Sequence, residues 1–85
     1  MNGGQIRNFE ATLKTEMFEE AFQILLTESK RSGTTEEVKI LSKKLSSEVR
    51  KKAYSLANKK DEKGALKLEN LLKKIIKLND EGIYG

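Results

Sequence analysis

Val38, Leu41, Leu45, Val49, Ala53 and Leu56 recur at intervals of three and four residues, which on an α-helix keeps a single face apolar for about five turns. No segment alternates with a period of two, so nothing in the chain asks for a sheet. The chain contains no Pro, so no ring forces a helix to kink or stop, and boundaries must come from caps and glycines. At 85 residues it is short enough for one domain with a small core.

The boundary signals divide the chain into three helical segments. The first runs to Ser32 from about Phe9, or from Thr15 as a second possible N-cap, with Lys30 and Arg31 in its last turn and Gly33 as its stop. Thr34, Thr35, Glu36 and Glu37 form a capping box that opens the second helix, with Thr34 and Glu37 as its reciprocal partners. That helix is expected to fray near residues 58–60, and Asp61 caps a third, with Glu62 in its first turn and Gly64 inside its start. The third presents Ala65, Leu68, Leu71, Leu72, Ile75, Ile76 and Leu78 and stops at Gly82. Short connections make neighbours antiparallel. The expected fold is therefore all-α: a small antiparallel three-helix bundle, with helices at about 9/15–32, 35–59 and 62–80. It forms a single helical domain over residues 1–85, with flexible termini at 1–5 and 82–85.

The stretch running from Ala53 through Gly64 and Ala65 to Ile76 resembles the helix–turn–helix of tetratricopeptide or microtubule-interacting-and-trafficking modules, in which a Gly-containing turn precedes an Ala-Leu helix. It lacks the aromatic positions those families use, and it is read as the general chemistry of a helical hairpin.

Projection at ~100° per residue shows how much of each helix must be sheltered from water. The apolar arc of the second helix spans roughly 120° and that of the third roughly 160°. In the first, Met17, Phe18, Ala21, Phe22, Ile24, Leu25 and Leu26 occupy roughly 200°. Three helices of this length have difficulty covering both wide arcs. The expected consequence is an interface through the apolar face of helices one and three, anchored by Met17, Phe18, Phe22, Leu25 and Leu26, that makes a homodimer or docks a larger protein. The competing possibility is that Ile6, Phe9 and Leu13 fold back over helix one and close the core within one chain.

Charge is unevenly distributed. Residues 1–37 carry 4 basic and 7 acidic side chains, and residues 38–85 carry 13 basic and 6 acidic ones. Opposite the apolar stripe of the second helix lie Lys39, Lys43, Arg50, Lys51 and Tyr54, with Ser47 and Ile40 among them. A basic face with one aromatic ring can follow a phosphate backbone while the ring stacks on a base, so nucleic-acid contact through these residues is the alternative function. Against specific readout, Lys outnumbers Arg by 14 to 3. The linkage over residues 58–64 also reads as longer than the turn of a DNA-reading helix-turn-helix.

Catalysis is disfavoured. With no Cys and no His, thiolate chemistry, disulfides and imidazole acid–base chemistry are excluded. The carboxylates Glu16, Glu19 and Glu20 stand close together, but Glu48 and Glu69 are single on their helices, so no facing pair completes a metal or acid–base site. No phosphate loop or nucleophile elbow occurs, and no cofactor is expected. The run Leu71 to Lys77 has the pattern of a cationic amphipathic helix, but its Leu and Ile residues are needed for a core, so a membrane is not expected as partner. The expectation is a small non-enzymatic regulatory or interaction protein of the cytoplasm.

Overall fold

A computed structural model describes residues 2–33 and 35–81, with backbone alone at 80 and 81. The described chain is all-α, as expected, but it has four helices rather than three: α1 (Gly3–Lys14), α2 (Phe18–Ser32), α3 (Glu36–Asn58) and α4 (Glu62–Glu81). The expected first helix is two, and it begins well before Phe9. Asn2 starts α1 through a reciprocal cap: its Oδ1 accepts from the Gln5 backbone N–H at 2.9 Å, and the Gln5 Oε1 accepts from the Asn2 N–H at 2.9 Å. This cap overcomes the poor helix propensity of Gly3 and Gly4, so residues 3–5 form the first turn of α1.

The α1–α2 break has a specific geometry. Met17 N–H bonds the Thr12 carbonyl at 2.8 Å and Glu16 N–H bonds the Leu13 carbonyl at 3.2 Å, a Schellman closure with Glu16 in the left-handed region at φ 60°. Thr15 does not cap the next helix. Its hydroxyl bonds back to the Ala11 carbonyl at 3.0 Å, and Met17 becomes the N-cap of α2. The same closure ends α3, where Asp61 N–H bonds the Leu56 carbonyl at 2.9 Å, Lys60 N–H bonds the Ala57 carbonyl at 3.0 Å, and Lys60 has φ 63°. Asp61 then caps α4, accepting from Gly64 N–H at 3.1 Å. In each hairpin the residue that finishes one helix also begins the next. Only Lys59, Lys60 and Asp61 separate α3 from α4, so the expected long linkage is a tight turn.

Gly64 is required by close approach. A Cβ there would stand 2.7 Å from Asp61 Oδ2 and 3.0 Å from Leu56 Cδ1. Gly33 ends α2 at φ 80°, as its position suggested. The N-cap of α3 is Thr35, whose hydroxyl accepts from Val38 N–H at 3.3 Å. The expected pairing through Thr34, the stop at Gly82 and the flexible segment 82–85 lie outside the described residues.

The helices form two hairpins packed together. Phe9 and Leu13 of α1, Phe18, Ala21, Phe22 and Leu25 of α2, Leu41, Leu45 and Val49 of α3, and Leu71, Ile75 and Leu78 of α4 make one core. Burying each large side chain contributes about 1.5–3 kcal/mol. The α3–α4 contact is the most extensive and runs the length of both helices, from Leu56 against Gly64 to the Ser42 hydroxyl donating to Asn79 Oδ1 at 3.1 Å. Such alongside packing differs from the steep crossing of a DNA-reading helix-turn-helix. Across the hairpins, Lys44 pairs with Glu10 at 3.7 Å and Lys52 with Glu16 at 3.0 Å. Part of the segregated charge is thereby matched within the chain.

Candidate functional site

The structure distributes the expected interface residues between core and surface. Phe18, Phe22 and Leu25 are buried, Leu25 completely, and Leu26 is half-buried against the same cluster. Met17 alone of the five is open, at 45% exposure. The correction has a physical origin: the break at Glu16 and Met17 turns α1 back along α2, and Phe9 and Leu13 cover the broad apolar arc that a continuous helix would have left bare. Phe9 and Leu13 thus act as the competing reading had them, while Ile6, half-buried, is not part of that cluster.

The expected nucleic-acid contacts behave differently. Lys39, Lys43, Arg50, Lys51 and Tyr54 are all exposed and lie on the outer side of α3. Inward, the same helix buries Val38, Leu41, Ser42, Leu45, Val49 and Ala53, the face that the periodicity specified. Lys51 is near Glu48 at 3.8 Å, whereas Lys39, Lys43 and Arg50 make no ion pair among the described residues. Two large apolar groups share this outer face, Ile40 at 60% and Tyr54 at 67% exposure. The outer side of α3 is therefore cationic, solvated and apolar at both ends.

Sequence reasoning missed one feature, an open cleft of about 460 Å³ where the two hairpin turns meet. Met17, Phe18, Leu56 and Leu68 supply its apolar lining, and Lys52 and Lys67 stand at its edge. It exists because α1 and α2 separate at Glu16, a non-glycine residue in a left-handed conformation that carries no local sequence signal. The carboxylates Glu16, Glu19 and Glu20, close together in the sequence, all line this cleft. Glu16 faces Lys52, while Glu19 and Glu20 sit in the first turn of α2, where the helix dipole favours them.

Among the described residues one carboxylate is buried. Glu28 near the end of α2 accepts from Arg31 Nη2 at 2.8 Å. Burial pushes its carboxyl upward, but hydrogen bonds with Arg31 and Ser32 and the Arg31 charge outweigh this and hold it below its ordinary range. Ser42, also buried, shares its one hydroxyl proton between the Lys39 carbonyl at 2.9 Å and Asn79 Oδ1 at 3.1 Å. These groups belong to the architecture of the bundle. Among the described residues no group of three acidic, His or Cys side chains is placed to hold a metal ion, and no helix is long and apolar enough to cross a membrane. No family model matches the chain, and no curated protein or solved structure is detectably similar to it.

Proposed function

We propose that this chain is a small non-enzymatic interaction module whose working surface is the outer side of α3. The observation that carries the reading is the coincidence, on one helical face, of cations without an internal ion pair and two large exposed apolar side chains, Ile40 and Tyr54. A face serving solubility alone has no use for Ile40 exposed in the second turn of α3, whereas a protein interface combines apolar contact with charges that orient the partner. Homodimerisation through the first helical segment is less well supported, because its largest side chains are already sheltered. The cytoplasm is the proposed setting, from a chain without Cys.

The experiment compares partner capture by the chain and by a Lys43→Glu, Arg50→Glu variant, using cell extract and matched helical content by circular dichroism. Loss of specific partners from the variant is expected. Identical capture by both proteins would place the working surface elsewhere.

A nucleic-acid-binding accessory role is the second reading, favoured by the joint exposure of Tyr54 with Lys39, Lys43, Arg50 and Lys51. It requires binding of an oligonucleotide at low salt that weakens steeply as salt rises, because each neutralised phosphate releases counterions.

A further inference from the structure

We propose that the outer strip of α3 docks one acidic, amphipathic α-helix of a partner protein. This rests on the reading of α3 as the working surface and adds the partner's chemistry. Ile40, Ser47 and Tyr54 stand at seven-residue intervals, so they lie almost in line along the helix. With ~1.5 Å rise per residue, Ile40 and Tyr54 are ~21 Å apart along the axis. Ser47 between them is small and exposed, which lets a second helix approach the α3 backbone between two apolar contacts. Three and four residues beyond Ile40 are Lys43 and Lys44, and three and four beyond Ser47 are Arg50 and Lys51; Lys44 and Lys51 already stand near Glu10 and Glu48, whereas Lys43 and Arg50 make no ion pair among the described residues. The strip therefore repeats one unit: a seam residue followed by a pair of cations. A helix laid along it meets apolar side chains with apolar ones and places carboxylates beside the cations, giving orientation through charge complementarity.

Other occupants match less of this pattern. A phosphate backbone uses the cations but gains nothing from Ile40 or from the regular seam. A second copy of this chain has no fitting helix among the described residues: the exposed large apolar residues are Met17, Ile40, Tyr54, Leu66 and Ile76, and none lies within α1 or α2, the helices that carry the exposed Glu10, Glu19 and Glu20. On α4, Leu66 has Glu62 and Glu69 beside it, but Ile76 is ten residues further on, which at ~100° per residue sets the two ~80° apart around the helix rather than in one line.

The test uses the full chain and a fluorescein-labelled helical peptide with two Leu at the Ile40–Tyr54 spacing and Glu residues flanking the seam. Controls are a scrambled peptide of equal composition and labelled single- and double-stranded oligonucleotides. Binding is read by anisotropy at low salt and at about 0.3 M salt, and located by amide chemical shifts. The ordered peptide is expected to bind and to shift amides between Ile40 and Tyr54. An Ile40→Ser, Tyr54→Ser variant, altered only at exposed positions, is expected to weaken binding about tenfold at both salts. Lys43→Gln with Arg50→Gln weakens it mainly at low salt. Equal binding of the scrambled peptide, tighter binding of either oligonucleotide, or no binding of the ordered peptide would overturn the inference. These results leave the α3 surface itself standing if the charge-reversed variant still loses its cellular partners, so the two proposals fail separately. Light scattering of the free chain adds a further check: dimerisation abolished by Ile40→Ser, Tyr54→Ser would make a second copy the occupant and overturn the inference.

Discussion

Lys60 ends α3 in a left-handed conformation, φ 63°, held by the Schellman bonds from its own N–H and from Asp61. For an L-residue this conformation costs about 1–2 kcal/mol relative to the right-handed region. Glycine carries no such penalty but loses more backbone freedom on folding, about 0.5–1 kcal/mol. Replacing Lys60 with Gly is therefore expected to stabilise the fold by about 0.5–1 kcal/mol, since the exposed Lys60 side chain makes no ion pair among the described residues. In a chain of this size that raises Tm by about 2–8 °C. Glu16 supplies an internal comparison: it occupies the equivalent position at φ 60°, yet its carboxylate pairs with Lys52 at 3.0 Å. Losing that partly exposed pair costs about 0.2–1 kcal/mol, so Glu16→Gly should gain less than Lys60→Gly. Urea unfolding followed by circular dichroism measures both, with an unchanged slope as the sign that the unfolded ensemble is comparable. If Lys60→Gly is neutral or destabilising, or if Glu16→Gly gains more, the description of the turns as strained is wrong.

Phe22→Glu places a carboxylate where a nearly fully buried ring stood. Truncation of such a ring alone costs about 3–5 kcal/mol, so cooperative loss of helix signal at room temperature is expected, and a folded variant would return Phe22 to the surface. Gly64→Ala is expected to destabilise by about 1 kcal/mol despite alanine's better helix propensity, because its Cβ displaces the Asp61 cap and presses on Leu56; a rise in Tm would show that the turn relaxes freely. For Glu28, the lowered folded pKa means that the unfolded chain takes up its proton first as the pH falls. The stabilisation is complete above the ordinary glutamate value of 4.5 and is lost as the pH drops through the lower folded value. The stability gap between the chain and Glu28→Gln should therefore close on acidification, and a gap constant down to strongly acidic pH would contradict the Arg31 contact.

The inward faces of α3 and α4 were legible because burial follows a period that is written locally. Val38, Leu41, Leu45, Val49 and Ala53 are all buried, as are Ala65, Leu71, Ile75 and Leu78. Ile76, read as part of the apolar arc of α4, lies at its edge and remains 41% exposed. The cation-bearing face of α3 was readable for the same reason, being opposite a well-defined stripe. The break before α2 was not, since neither Thr15, Glu16 nor Met17 is a strong helix terminator. The start of α1 was obscured by Gly3 and Gly4, whose low propensity hid the reciprocal Asn2–Gln5 cap.

By itself the sequence determined helicity, the side of α3 and α4 that avoids water, the stop at Gly33, the cap at Asp61 and the absence of thiol and imidazole chemistry. Tertiary structure alone decided that Phe18, Phe22 and Leu25 belong to the core. Periodicity measures how wide an apolar arc is, but the surface that covers it comes from residues outside that helix, brought near only by the fold. Here those are Phe9 and Leu13, brought into place by a left-handed turn whose local cost is offset by the packing and hydrogen bonds it permits.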